Sequence, residues 1–145
     1  MPNRVAVVGV GQTRHGRRDD VSYPELVREA VDAALKDAGL SSADIEAVAT
    51  GSMPSPMEGI NGTHLYWSDA VGAHDKPLMR VATCGSTGMS TAHCAFYHVA
   101  SGLFDVVLAV GAEKMYESDP QGTMSTVAEP YFQRPFLAGA PAVFG

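Results

Sequence analysis

The sequence predicts an α/β fold of the βαβαβ type, in which a mostly parallel sheet is flanked by helices. Short apolar runs of strand length alternate with longer stretches of helical periodicity. The helical stretches begin at capping residues and end at glycines, which marks their boundaries. The chain has 145 residues, 46% of them hydrophobic, which is enough for one domain and its core but hardly for two.

The first strand is predicted at Val5 to Val10, and a polar loop follows as far as Asp20. Gly9 and Gly11 also suggest a dinucleotide-binding motif as an alternative. That motif requires its glycines to open a helix at once, whereas the next helical pattern here begins at Ser22. The dinucleotide alternative is therefore the weaker one.

The first helix is predicted from its two ends. Ser22 and Glu25 form a capping box at the start, and Gly39 supplies the C-terminal stop. After a short capped turn, the apolar run from Ala47 to Gly51 predicts the next strand. Because a strand-helix-strand unit brings its two strands together in parallel, we expect this strand to pair with residues 5–10.

A surface loop is predicted over residues 52–62, which carry several prolines and glycines, and a helical pattern follows over residues 61–71. His64 lies within this pattern and His74 follows it. Neither histidine has a second ligand three or four residues away, so no metal site is predicted.

A cysteine-bearing unit occupies the middle of the chain. The strand predicted at Leu78 to Ala82 leads into Cys84, a helical pattern runs on to Gly102, and Val106 to Val110 predicts another buried strand. Cys84 is thereby predicted at the start of a helix, where the helix dipole and unpaired N–H groups favour a thiolate. Taken alone, these residues leave two interpretations open, a nucleophile or a small buried cysteine at a strand end.

The second cysteine, Cys94, is predicted to be a small buried residue of the core. On a shared helix its Cα would lie about 15 Å from that of Cys84, which is too far for a disulfide. The sequence shows no signal peptide and no apolar run of membrane-spanning length. Together with the expected reduced thiols, this predicts a cytoplasmic protein. The net charge of −6, with both signs interspersed, predicts binding neither to nucleic acid nor to a membrane surface.

Residues 116–145 show little regular pattern. Their aromatic content predicts an ordered covering segment rather than a disordered tail. The aromatic residues expected to pack are Tyr131, Phe132, Phe136 and Phe144. Just before this stretch, Glu113 and Lys114 are predicted to form a structural ion pair or a hydrogen-bonded turn.

Four stretches of the sequence match a known pattern: Val5–Thr13, Glu29–Leu40, Arg80–Gly88 and Ala100–Met115. Together they resemble the N-terminal half of the thiolase superfamily, most closely the sterol-carrier or lipid-transfer-protein type of acyl-CoA thiolase, which is acetyl-CoA acetyltransferase-like. The resemblance implies an incomplete thiolase-like α/β domain over residues 1–115. It also implies that residues 116–145 begin a loop or covering region.

For the chemistry, the resemblance implies acyl transfer between thioesters. Cys84 would be the catalytic nucleophile, and the oxyanion and the substrate would be held by the turn made of Cys84, Gly85, Ser86 and Gly88. The implied reaction is thiolytic cleavage or Claisen condensation of a 3-ketoacyl-CoA through a cysteine acyl-enzyme. Coenzyme A would enter as a co-substrate, and no permanently bound cofactor and no metal are implied.

Thiolases complete this site with histidines and a second cysteine from a C-terminal half, which this sequence does not contain. We therefore expect the chain to be the N-terminal part of a thiolase, inactive alone, that arises by truncation, processing or a split gene. Its expected partners are acyl-CoA or CoA, and either further copies in a homodimer or tetramer or a complementary C-terminal half. The alternative is a non-catalytic thiolase-like partner subunit of a lyase or hydratase complex.

Overall fold

A three-stranded parallel sheet forms the centre of the computed structural model, which describes residues 4–53, 62–136 and 141. Strand β1 (Ala47–Gly51) lies between β2 (Leu78–Val81) and β3 (Val107–Gly111). Val48 is the β1 residue that stands opposite the first residue of β2 and the second residue of β3. The predicted α/β fold with a parallel sheet between helices is confirmed.

The described residues contain four α-helices beside the sheet: α1 (Tyr23–Ala38), α2 (Thr63–Tyr66), α3 (Thr87–Ala100) and α4 (Pro120–Ser125). Successive side chains of a strand point to opposite faces of the sheet. Val48 and Gly51 are three residues apart on β1, so their side-chain positions lie on opposite faces of the sheet. Val48 belongs to the apolar cluster that includes residues of α1, whereas a side chain at Gly51 would meet α3. The two long helices therefore cover opposite faces. No helix in the described ranges combines the length and apolar character needed to cross a membrane.

The first long helix begins and ends where its capping residues predict. The Ser22 hydroxyl accepts a bond from the Glu25 N–H at 3.4 Å, and the Glu25 carboxylate accepts one from the Ser22 N–H at 2.7 Å. The bond from the Ser22 backbone is the main cause of a lowered pKa of Glu25. At the other end Gly39 takes the left-handed conformation, with φ of +68°.

Replacing Ser22 with alanine is expected to lower the free energy of unfolding by about 1 kcal/mol, because the first turn of α1 loses its side-chain acceptor. Urea unfolding followed by circular dichroism measures this change. Ser22→Asn serves as the control, since asparagine caps helices about as well as serine and should keep stability within a few tenths of a kcal/mol. Equal losses in both variants would contradict the capping role.

The main core lies between α1 and the sheet. Trp67 is fully buried there, and its ring centroid lies 5.5 Å from that of Tyr23. The Tyr23 hydroxyl also donates to the Ala112 carbonyl oxygen at 2.6 Å, which ties the start of α1 to the end of β3. The other buried apolar members of this core are Val27, Val31, Leu35, Ile45, Val48, Val71, Ala73, Leu108 and Val110.

The predicted first strand is wrong. Residues 5–10 pair with no strand of the described part of the chain, and Val7 is 84% exposed. Both edges of β1 are occupied by β2 and β3, so no place beside it remains for a further strand. The segment lies against α1 instead, where a methyl group added at Gly9 would stand 2.6 Å from the Ala34 carbonyl oxygen. The missing side chain at Gly9 permits this close approach to the helix.

Helix α3 forms as its periodicity predicts, but its apolar positions face outward. Met89 is 64% exposed, and Phe96 is also exposed. Leu103, predicted on the same helix face, lies beyond the end of α3 and is exposed as well. The side chains that α3 buries are those of Thr87 and Thr91, which pack against the strand at Gly51. Small side chains are needed on this face because the helix approaches the strand too closely for larger ones.

The prediction that Cys94 is a core residue is also wrong. Cys94 is only partly buried, and its Sγ lies 3.4 Å from the Sδ of Met79, which is itself exposed. It lies on a side of α3 that no other described element covers completely. Cys84 and Cys94 are both free thiols, so the prediction that they form no disulfide is confirmed.

The remaining segments are less regular than predicted. The helical pattern over 61–71 yields only the short helix α2 followed by turns, and most of the loop predicted at 52–62 lies outside the described residues. Phe144 also lies outside them. Contrary to the prediction of a packed cover, Tyr131, Phe132 and Phe136 are each more than 80% exposed. Backbone and carboxylate contacts within the segment, such as the bond from the Tyr131 N–H to Glu129, hold its shape and leave these rings outward.

Candidate active site

Cys84 lies on a tight turn between the carboxyl end of β2 and the start of α3. The turn is a 3-10 helix, Cys84–Ser86, so the cysteine stands one short turn ahead of α3 rather than at its first residue. Its backbone has φ of +52°, a conformation that costs a residue with a side chain about 1–2 kcal/mol. Its side chain is exposed. A strained and exposed cysteine at this edge of a parallel sheet is a candidate functional residue.

Hydroxyl groups surround the turn. The Ser86 hydroxyl donates to the Thr83 carbonyl oxygen at 2.9 Å, and the Thr83 hydroxyl donates to that of Ser90 at 2.8 Å. The Thr87 hydroxyl makes two further bonds, accepting from the Thr83 N–H at 2.9 Å and donating to the Cys84 carbonyl oxygen at 2.8 Å. These bonds fix the backbone on both sides of the cysteine.

The four turn residues predicted from the sequence lie together on the surface. Cys84, Gly85, Ser86 and Gly88 are all exposed. A methyl group added at Gly85 or at Gly88 would have no neighbour within 4 Å, so the space beside the cysteine is open. A ligand or another protein surface can therefore approach the backbone here.

An open groove of about 460 Å³ runs along α3 beside this turn. Ser90, which bonds Thr83, belongs to its lining and connects the groove to the turn. This groove was not predicted from the sequence, although its helical residues recur at three- and four-residue spacing, which is the signal of one helix face. The lining residues are Val81, Ser90, His93, Cys94, Tyr97 and His98.

The titratable groups of the groove are not arranged as a catalytic pair. The His98 Nδ1 lies 3.7 Å from the Cys94 Sγ, but it donates its proton to the Cys94 carbonyl oxygen at 2.7 Å. Because this nitrogen carries the proton, it cannot accept one from the Cys94 thiol. Burial raises the pKa of the Cys94 thiol, which keeps it protonated at neutral pH. Cys94 is therefore a poor nucleophile compared with an exposed cysteine at a turn.

A second cavity, of about 450 Å³, lies between the loop after Gly11 and the end of β3. Two of its cations, Arg18 and Lys114, already have partners. Arg18 pairs with Asp20 and with Glu29, and the hydrogen bond from Asp20 is the main cause of the raised pKa of Arg18. The Lys114 ammonium donates to the Val21 carbonyl oxygen at 2.7 Å and to Glu117. Their charges are largely compensated within the protein.

Glu113 connects the ends of two strands. Its carboxylate accepts the N–H of Met53, just beyond β1, and the Met53 carbonyl oxygen accepts from Arg80 at 2.9 Å. This supports the predicted structural role of Glu113. Nearby, burial and the Arg80 charge lower the pKa of His64. Within the described residues no three His, Cys, Asp or Glu side chains are grouped so as to hold a metal ion.

Comparison with known proteins gives this arrangement a context. A family profile described as "Thiolase, N-terminal domain" matches residues 5–133. The chain is similar to an acetyl-CoA acetyltransferase of Methanothermobacter thermautotrophicus, with 36% identity over 129 residues that cover 86% of this chain and 33% of that protein. It is also similar to sterol carrier protein 2 of Gallus gallus, with 31% identity over 150 residues that cover 97% and 27%.

A solved structure shares the fold. The 3-oxoacyl-[acyl-carrier-protein] synthase III of Aquifex aeolicus VF5 aligns with a TM-score of 0.57 and 21% identity, over 68% of this chain and 32% of that one. At this identity the likeness concerns the fold alone. Of the acetyl-CoA acetyltransferase described above, the chain spans about a third of the length.

Proposed function

Because this chain belongs to the thiolase family through its N-terminal domain, we propose that Cys84 is the nucleophile of a thiolase-type acyltransferase. The substrate class is a 3-ketoacyl-CoA, with coenzyme A as the second substrate. The observation that carries the proposal is the exposed, left-handed Cys84 on the turn between β2 and α3. The resemblance to sterol-carrier-type thiolases agrees with the names of the relatives.

The geometry of the turn suits acyl transfer. A thiolate attacks carbonyl carbons readily and also leaves readily from a thioester. The first N–H groups of a helical turn have no partner within it, so those of Cys84 and Gly85 are placed to stabilise an oxyanion. The open space beside Gly85 and Gly88 leaves room for a thioester to reach the cysteine.

In the thiolytic direction, the Cys84 thiolate attacks the keto carbon and the bond between that carbon and the α-carbon breaks. The α-carbon leaves with the bonding pair and takes a proton, which releases acetyl-CoA when the substrate is unbranched. The thiol of a second CoA then attacks the acyl-cysteine and gives up its proton, which releases the shortened acyl-CoA and regenerates the Cys84 thiolate. Condensation is the same sequence reversed.

The proton transfers need groups that the turn does not supply. His93 and His98 line the groove along α3, and the lining of that groove does not include Cys84. We therefore propose that the base and acid come from the rest of a complete thiolase or from a complementary chain. We further propose that the α/β domain ends at residue 115, that the protein forms a homodimer or tetramer, and that it is located in the cytoplasm.

A thiol-reactive acyl-CoA analogue tests the proposal on the complete protein that carries this chain. Cys84 should be modified faster than Cys94, because Cys84 is exposed while burial raises the pKa of the Cys94 thiol. Peptide mass spectrometry gives both rates from one sample, and excess CoA should protect Cys84 selectively. Equal labelling of the two cysteines, with no protection by CoA, would overturn the proposal.

A further inference from the structure

We propose that Thr87 is a positioning residue that holds Cys84 in its left-handed conformation. The inference rests on the proposed role of Cys84 as nucleophile. Thr87 is the first residue of α3, and its side chain is 8% exposed. It does not itself provide the reacting atom, so its effect would reach the reaction only through the backbone of the cysteine.

The bonds of one hydroxyl group reach both sides of Cys84. The Thr87 Oγ1 accepts from the N–H of Thr83, the residue before the cysteine, at 2.9 Å. It donates to the carbonyl oxygen of Cys84 itself at 2.8 Å. The same carbonyl oxygen also accepts the Thr87 backbone N–H. Thr87 thus fastens the backbone immediately before and immediately after the strained residue.

The sheet keeps the Thr87 side chain in place. A methyl group added at Gly51 of β1 would lie 3.1 Å from the Thr87 Cγ2, so threonine packs closely on that strand. A β-branched side chain has few rotamers, and contact with the strand restricts it further. The hydroxyl is therefore held in one direction, towards the turn. The conformation of Cys84 is in this way anchored to the central strand.

Loss of the hydroxyl should release the turn. Without it, the Thr83 N–H and the Cys84 carbonyl oxygen each lose a partner, and Cys84 can relax towards an ordinary negative φ. Such a change in φ alters the directions of the Cys84 side chain and of the neighbouring peptide groups. A misplacement of about 1 Å can lower a reaction rate by about 10²-fold.

The test compares variants of the complete protein. Thr87→Val keeps the shape of the side chain and removes the hydroxyl; it should lower kcat for acyl transfer about tenfold or more and leave KM within about twofold. Thr87→Ser restores the hydroxyl and should recover most of the rate. Thr91→Val is the matched control. Thr91 is also buried against Gly51, and its hydroxyl donates to the Thr87 carbonyl oxygen instead of to Cys84.

A second measurement does not depend on acyl transfer. Iodoacetamide alkylation of Cys84, normalised to Cys94 on the same molecule, should change about threefold or more in Thr87→Val but not in Thr91→Val, because the rate follows the thiolate fraction and the access of the sulfur. Both measurements are made at a temperature at which circular dichroism shows every variant to be folded. If Thr87→Val does not fold, Thr87→Ala takes its place. Unchanged alkylation and unchanged kcat would overturn the inference. If the wild-type protein shows no acyl transfer but alkylation still differs between Thr87→Val and Thr91→Val, the proposed function is refuted and the positioning role of Thr87 stands.

Discussion

Replacing Cys84 with alanine is expected to abolish acyl transfer by the complete protein, with kcat lowered by at least about 10³-fold. The acyl-enzyme cannot form without the sulfur, so a labelled acyl group from the thioester substrate should no longer be found on the protein. Stability should change little, because the Cys84 side chain is exposed and buries almost no apolar surface. Steady-state kinetics and intact-protein mass spectrometry measure the two effects.

Cys94→Ala is the control for this experiment. Cys94 is a second free thiol on α3, it lines the groove, and it is outside the turn. The rate of this variant should stay within about twofold of the wild type, because its thiol takes no part in the acyl transfer. If Cys84→Ala keeps full activity in the assembled complex, the chain is instead a non-catalytic thiolase-like subunit, and the catalytic proposal fails.

Replacing Trp67 with alanine is expected to have the largest effect on folding, lowering the free energy of unfolding by about 3–5 kcal/mol. Trp67 is fully buried between α1 and the sheet and is in ring contact with Tyr23. Its removal would leave a cavity in the main core and free the Tyr23 ring. Because Tyr23 also bonds to the Ala112 carbonyl oxygen, the attachment of α1 to the end of β3 should weaken as well.

Two variants calibrate this result. Tyr66→Ala removes the adjacent aromatic ring, which is 50% exposed, and should change stability by about 0.5 kcal/mol or less. Trp67→Phe should cost much less than Trp67→Ala, because it keeps a ring and removes an indole N–H that has no hydrogen-bond partner among the described residues. Trp67 is the only tryptophan, so unfolding is followed by far-UV circular dichroism instead of fluorescence. Similar losses for Tyr66→Ala and Trp67→Ala would contradict this description of the core.

Features that depend on near neighbours in the chain could be predicted from the amino-acid sequence. The start of α1 follows from Ser22 and Glu25, which bond to each other across one turn, and its end follows from Gly39. The strand at Ala47–Gly51 and the position of Cys84 between a strand and a helix were likewise predicted correctly. Each of these depends on cap chemistry or on the alternation of apolar runs, which a few consecutive residues contain.

Which surfaces meet could not be predicted in this way, because it depends on contacts between residues far apart in the chain. Residues 5–10 have the composition of a strand, yet both edges of β1 pair with other strands, a fact that depends on residues far along the chain. The apolar residues of α3 predicted a helix but not its orientation, because the close approach at Gly51 admits only Thr87 and Thr91 beneath it. The left-handed backbone of Cys84 is also invisible in the sequence. The Thr87 hydroxyl bonds to the backbone on both sides of Cys84, and packing of Thr87 against the strand at Gly51 sets the direction of that hydroxyl.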